Sequence, residues 1–130
     1  MEHEELTRII IGCAISVHRA LGPGFLESVY QNALAHELSK ADLAVYCQKR
    51  IQVRYDGALV GDFLADMVVQ NSVLIENKAV QALNKAHEVQ LVNYLVATQI
   101  ETGLLLNFGA QRLQFKRKSR VYREKEDWTG

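Results

Sequence analysis

The sequence predicts an α/β fold, a sandwich in which α-helices cover a mixed β-sheet. Three observations predict it: apolar residues at helical spacing over residues 5–40, short apolar segments divided by polar turns over 44–79, and a further helical segment followed by two strand-like segments. The predicted order is ααβββαββ. Because no repeat, low-complexity tract or long linker interrupts this order, we expect a single domain over residues 1–130.

Two amphipathic helices are predicted at the start of the chain. Apolar residues recur at helical spacing over residues 5–21, and Gly22-Pro23-Gly24 ends this helix. A second helix is predicted over residues 26–40. Its inward-facing residues are Val29, Tyr30, Ala33, Leu34 and Leu38. The two helices should pack as one layer.

Three strands are predicted next, over residues 44–54, 59–69 and 73–79. Asp56-Gly57 is typical of the turn between the first two strands, and Gln70-Asn71-Ser72 of the turn between the next two. The rest of the chain predicts a helix over 85–98, a buried strand over 103–108 and a more polar edge strand over 113–122.

Composition limits the function classes. The chain has 130 residues, 48% of them hydrophobic, and its 15 basic residues balance its 15 acidic ones, so phosphate binding would have to be local. Basic residues gather near the end, either as a phosphate track or as a solvated edge strand. They are Lys116, Arg117, Lys118, Arg120 and Arg123.

The location predicted from the sequence is cytoplasmic. Cys13 and Cys47 form neither a metal-ligand nor a redox motif, which fits a reducing compartment. The acidic start of the chain does not look like a secretory signal, and no apolar run is long enough for a bilayer, so no membrane association is expected. No nucleophile elbow, phosphate loop or dinucleotide fingerprint appears.

Asp66 and Glu76-Asn77-Lys78 are the strongest candidates for chemistry. Side chains alternate across a strand, so Glu76 and Lys78 should share one face while Asn77 points to the other. A hairpin would bring Asp66 close to Glu76, giving the oxygen ligands that Mg²⁺ or Mn²⁺ prefers. Such a triplet also arises by chance. It gains weight because a buried strand has little reason to carry charges without a partner or a metal.

Other polar residues are ambiguous when taken one at a time. Glu27 either serves a site or only favours the positive end of its helix, and it lies three residues before Tyr30, on the same helix face. Gln90 and Tyr94 are four apart, so they share a face, either as site residues or as a polar shoulder. His3 is placed in a tail, and His87 either faces the same cleft as Gln90 or caps its helix.

Together these residues resemble the GxxExxY protein family of the PD-(D/E)XK nuclease superfamily. The resemblance spans nearly the whole chain. It rests on Gly24-Phe-Leu-Glu27-Ser-Val-Tyr30, Ala65-Asp66, Glu76-Asn-Lys78 and Gln90-Leu-Val-Asn-Tyr94, with support from Val17-His-Arg-Ala-Leu-Gly-Pro-Gly24 and Gly103-Leu-Leu-Leu-Asn-Phe-Gly109.

The resemblance implies a restriction-endonuclease-like core and a metal-dependent nuclease acting on nucleic acid. DNA is the expected substrate and RNA the alternative. The resemblance also implies Asp66 and Glu76 as ligands of Mg²⁺ or Mn²⁺, with the main-chain carbonyl of Asn77 as a further ligand. Lys78 would orient water or stabilise phosphate charge. The implied catalytic set is Glu27, Asp66, Glu76, Lys78, Gln90 and Tyr94.

Two positions depart from the family pattern. Ala65 replaces the superfamily's proline, which removes no catalytic group. Asn77 replaces an apolar residue, and an unpaired amide beneath a helix would cost about 1–3 kcal/mol. The alternative function is a non-catalytic module of the same fold that binds nucleic acid or a protein partner, or forms a homodimer; the neutral net charge predicts weak intrinsic affinity for a polyanion.

Overall fold

The computed structural model of the chain describes residues 1–120. It contains helices α1, α2 and α3 and strands β1 to β5 in the predicted order. Their bounds are α1 His3–Leu21, α2 Glu27–Lys40, β1 Val45–Tyr55, β2 Ala58–Val69, β3 Val73–Lys78, α3 Lys85–Thr98, β4 Thr102–Asn107 and β5 Gln114–Ser119. The α/β sandwich and its element order are therefore confirmed.

The five strands form one mixed sheet in the order β1-β2-β3-β4-β5. Only β3 and β4 are parallel; the other neighbours are antiparallel. Helix α3 makes the crossover between the parallel strands, as a parallel connection requires. Strand β2 pairs with β3 only over Met67, Val68 and Val69, so most of the β1–β2 hairpin extends beyond the rest of the sheet.

The helices cover opposite faces of the sheet. Helices α1 and α2 pack together over one face, in a core that includes Leu6, Leu34 and Ile75. Helix α3 packs over the other face, where Leu91 and Leu95 bury Leu74, Leu105 and Ile51. Burial of both faces explains why β3 and β4 contain unbroken apolar runs, at residues 73–75 and 104–106, rather than an alternating pattern.

The predicted turns have the backbone that their residues favour. Asp56 and Gly57 have φ angles of 51° and 79°, and positive φ at two successive residues suits a tight hairpin with right-handed strand twist. Gln70 and Asn71 have φ angles of 54° and 53° between β2 and β3. Asparagine tolerates this region, so the polar turn is stabilised by local backbone preference.

Two predicted ends were wrong. His3 belongs to α1 rather than to a tail, because its Nδ1 atom lies 3.0 Å from Thr102 Oγ1 and ties the first turn to β4. The edge strand begins at Gln114, one residue after the predicted start at Leu113, and its described residues run to Ser119. Its predicted end at Tyr122, like Arg123, lies outside the described residues. Within residues 1–120, every helix is too short or too polar to cross a membrane.

Candidate active site

The ladder between β2 and β3 stops at Met67 and Ile75, and two carboxylates continue it. The backbone N–H of Asp66 donates to Glu76 Oε1 at 3.0 Å, and the backbone N–H of Asn77 donates to Asp66 Oδ2 at 2.7 Å. Each acid thus accepts a bond from the strand of the other. This reciprocal pairing holds both carboxylates side by side where the strands separate.

One oxygen of each carboxylate remains available. Within residues 1–120, Asp66 Oδ1 and Glu76 Oε2 accept no N–H hydrogen bond, and the two carboxyl groups lie close enough to share a hydrogen bond when one of them is protonated. Carboxylate oxygens are the ligands that Mg²⁺ and Mn²⁺ prefer. The arrangement therefore fits a hard divalent ion, with a strand carbonyl close by in the chain at Asn77.

Burial makes two negative charges costly at this position. Glu76 is 5% exposed, and burial, followed by the charge of Asp66, raises its pKa to about 8. Burial also raises the pKa of Asp66, against the opposing effect of the Asn77 N–H. A bound cation would offset the repulsion between the two carboxylates, which is a physical reason for them to be paired.

Lys78, Gln90 and Tyr94 connect the same sheet face to α3. Lys78 Nζ donates to Gln90 Oε1 at 3.4 Å, and Gln90 Nε2 donates to the Tyr94 hydroxyl at 3.4 Å. Burial, and then the charges of Glu76 and Asp66, raises the pKa of Tyr94. The structure therefore brings these five predicted residues together on the face covered by α3.

Glu27 lies at the edge of this group. It is the first residue of α2 and is exposed, and its negative charge helps to raise the pKa of Asp66 and of Glu76. It makes no hydrogen bond to them, and residues 1–120 hold no cluster of three or more His, Cys, Asp or Glu side chains able to bind a metal. Glu27 is close enough to act electrostatically but does not touch the carboxylate pair.

Asn77 points to the opposite face, as predicted. Its Nδ2 atom lies 3.3 Å from Met67 Sδ, and its buried Oδ1 atom has no hydrogen-bond partner among residues 1–120. The side chain therefore cannot reach the carboxylates. Only its backbone lies at the site, where its N–H holds Asp66.

Tyr30 does not face the site; it lies in the core on the side of the sheet that α1 and α2 cover. Its ring is fully buried and stacks on Phe108 with ring centroids 4.7 Å apart. Its hydroxyl donates to the Gly22 carbonyl at 2.5 Å and accepts from the Phe25 N–H. Tyr30 thereby fixes the loop that begins α2, and with it the position of Glu27.

Sequence reasoning missed the role of Asn107. It is fully buried, pairs in register with Lys78, and binds both backbone groups of Val80. It also accepts from the Gly109 N–H and donates to Gln114. A Cβ atom at Gly109 would lie 2.4 Å from the Val80 carbonyl oxygen, so this close approach needs glycine. The run Gly103 to Gly109 was the available signal.

His87 has a structural role. The Asn84 side chain accepts from the His87 N–H, while His87 Nδ1 accepts from the Asn84 N–H, which makes a reciprocal cap on α3. The capping alternative is therefore the one that the structure supports. This cap fixes the start of the helix that carries Gln90 and Tyr94.

A mixed sheet between helices, with paired acids and a lysine where two strands separate, defines a nuclease-type α/β fold. A family model described as the PD-(D/E)XK nuclease superfamily matches residues 4–118. The chain therefore belongs to the PD-(D/E)XK nuclease superfamily, whose members typically use divalent metals. The expected restriction-endonuclease-like fold is confirmed, while membership of the GxxExxY family stays a prediction.

One solved structure with this fold is titled "Crystal structure of SSO0001". It superposes with a TM-score of 0.59 at 17% sequence identity, covering 74% of this chain and 50% of that one. This chain therefore spans half the length of that protein, and the likeness supports the fold alone. A comparison with curated proteins gives no match.

Proposed function

We propose that this protein is a divalent-metal-dependent nuclease that hydrolyses phosphodiester bonds in nucleic acid, with DNA as the favoured substrate. The observation that carries the proposal is the reciprocal pairing of Asp66 and Glu76, which leaves one oxygen of each available beside Lys78. Superfamily membership supports the same reaction class.

Asp66 and Glu76 would hold Mg²⁺ or Mn²⁺, with the main-chain carbonyl of Asn77 as a further ligand. When bound, the ion supplies positive charge that polarises the phosphodiester and acidifies water. The protein's contribution is to hold the two carboxylates in place through backbone N–H groups rather than flexible side chains. Carboxylates held in this way would keep the ion and the bound phosphate in a fixed position for the reaction.

Lys78 would orient the attacking water and stabilise the negative charge that develops on the phosphate. Gln90 would keep the Lys78 ammonium on this face by accepting its hydrogen bond, and Tyr94 would hold Gln90 in turn. Glu27, at the rim, would be the supplementary acid that acts through its charge.

The direct test is cleavage of single- and double-stranded DNA and RNA in Mn²⁺ or Mg²⁺. Wild-type protein should cleave at least one substrate, and both Asp66→Ala and Lys78→Ala should lose the activity. Asp62→Asn is the matched control, because Asp62 lies on the same strand but is exposed and pairs with Arg50. Cleavage that persists in both site variants would contradict the proposal.

A second candidate is a non-catalytic module that binds nucleic acid or a protein partner, or forms a homodimer. Its protein-binding form is favoured by large apolar side chains that are exposed on the β1–β2 hairpin and α3, including Val60, Leu64 and Val96, and by a neutral net charge that suits a protein partner better than a polyanion. It predicts no cleavage in any metal. Wild-type protein that binds Mn²⁺ no differently from Asp66→Ala would favour this candidate.

A further inference from the structure

An apolar groove opens between α3 and the part of the β1–β2 hairpin that extends beyond β3. Its volume is about 560 Å³, within the range of small-molecule sites. Val53 and Phe63 line it from the strands, and Val89, Tyr94 and Ala97 line it from the helix. The groove exists because β2 continues past its pairing with β3, which leaves one side of the hairpin facing the helix.

The groove is continuous with the candidate active site. Gln90 and Tyr94 belong to both: they line the groove, and Gln90 accepts the hydrogen bond of Lys78. The carboxylates are near enough for their charges to raise the pKa of Tyr94. A group in the groove would therefore be a close neighbour of a phosphate placed at Asp66 and Glu76.

The groove combines aromatic surface with polar groups. The ring centroids of Phe63 and Tyr94 lie 5.7 Å apart, with an angle of 39° between the ring planes, and Phe63 is 43% exposed. Lys85, Gln90 and Asn93 add an ammonium and two amides to the lining. Aromatic faces with amides suit a flat ring that carries nitrogen and oxygen atoms, and the lysine suits an attached phosphate.

We propose that the groove binds a nucleobase of the substrate strand, next to the phosphate held at the carboxylates. A base paired and stacked in a duplex cannot enter such a groove without leaving the helix. The substrate therefore has an unpaired base at this position, as in a single strand, a frayed end or a flap. This inference rests on the proposed nuclease function and names the substrate form that the site accepts.

Binding can be measured apart from cleavage. Fluorescence anisotropy of labelled oligothymidine and of a matched duplex, in Ca²⁺ at low salt, gives both affinities, and electrophoresis of the recovered strand checks that it stays intact. Phe63→Ala should weaken single-strand binding about fivefold to a hundredfold, the effect expected for one lost base stack, and leave duplex binding unchanged. Leu64→Ala is the control, because Leu64 is the next residue, equally apolar and 55% exposed.

Two further measurements isolate stacking from folding. Phe63→Leu retains an apolar side chain without an aromatic face, so it should bind the single strand nearly as weakly as Phe63→Ala. Wild type should have a low affinity for an abasic strand of equal length, and Phe63→Ala should not lower that affinity further. Wild-type affinity in Phe63→Leu, equal losses in Phe63→Ala and Leu64→Ala, or equal losses for strand and duplex would overturn the proposal.

The groove and the nuclease function fail in different ways. If wild type cleaves nucleic acid in Mn²⁺ while Phe63→Ala binds single strands normally, the nuclease proposal survives and the nucleobase groove is wrong. If no substrate is cleaved, the nuclease proposal is wrong whatever the anisotropy shows.

Discussion

Two buried asparagines on neighbouring strands face opposite sides of the sheet, and their surroundings differ. Asn107 lies on the α3 side, where its amide satisfies both backbone groups of Val80. Asn77 lies on the side of α1 and α2, where its Oδ1 atom has no hydrogen-bond partner in the described part of the chain. Beside Lys78, the α3 side therefore contains a network of hydrogen-bonded polar groups. Around Asn77, the other side is an apolar core that contains one buried amide.

The same contrast divides β3 itself. Ile75 and Asn77 point into the core beneath α1 and α2, while Glu76 and Lys78 point toward α3. A substitution of Glu76 or Lys78 should therefore change activity or metal binding, with or without a change in stability, whereas a substitution of Ile75 or Asn77 should change stability alone.

The largest effect is expected at Lys78. Lys78→Ala should lower nuclease activity by about 10²- to 10⁴-fold, because it removes the cation beside the carboxylate pair, and should change the unfolding midpoint little. Steady-state cleavage and thermal melts measure the two effects. Lys40→Ala, at an exposed ion pair on α2, is the control and should be active. A stable Lys78→Ala protein with normal turnover would refute the assignment.

Asn107→Ala should destabilise the protein by about 3–5 kcal/mol. The substitution leaves partly buried backbone groups of Val80 and Gly109 without the Asn107 amide as their partner, and it frees the segment that follows Lys78. Urea unfolding measures the free energy. Asn32→Ala, an exposed asparagine of α2, should change it by less than about 0.5 kcal/mol. Equal effects of the two substitutions would show that the Asn107 bonds contribute nothing.

Glu76 should make metal-free stability depend on pH. Its pKa is raised from 4.5 to about 8, so the folded protein binds a proton that the unfolded chain releases between these values. Its contribution is fully present below pH 4.5 and is lost as pH rises through 8, a loss of about 2–4 kcal/mol. Urea unfolding in EDTA should show this loss in wild type and a flatter profile in Glu76→Gln. A steeper profile in Glu76→Gln would contradict the prediction.

Asn77→Leu should have the smallest effect and the opposite sign. It replaces a buried amide, whose Oδ1 atom has no hydrogen-bond partner within residues 1–120 and whose Nδ2 atom has only the weak acceptor Met67 Sδ, with an apolar side chain under α1 and α2, so the protein should become more stable by about 1–2 kcal/mol at every pH. Nuclease activity should stay within a few fold of wild type. A loss of stability would mean that the Asn77 amide contributes a bond that the apolar side chain cannot replace.

The sequence predicted the elements better than their tertiary contacts. Helix α3 was placed at its observed bounds, and Gly22-Pro23-Gly24 ended α1, because capping and backbone restrictions act locally. His3 was misplaced because its anchor, Thr102, is distant in the sequence. Such a bond leaves no periodic signal in the residues that make it.

The candidate site shows the same limit. Strand alternation correctly separated Glu76 and Lys78 from the Asn77 side chain, and a hairpin brought Asp66 close. The strand pattern could not reveal that each carboxylate accepts a backbone N–H hydrogen bond where the ladder stops, because this pairing depends on how the two strands diverge. The groove beside Phe63 depends equally on the unpaired length of the hairpin.

Calorimetric titration with Mn²⁺ tests the central claim most directly, because it needs no substrate. Wild type should bind Mn²⁺, while Asp66→Ala and Glu76→Ala should each lower the affinity for Mn²⁺ by about a hundredfold or more. Asp62→Asn, on the same strand as Asp66, should bind like wild type. Absence of binding in wild type, or equal binding in wild type and both site variants, would contradict a metal site at this carboxylate pair.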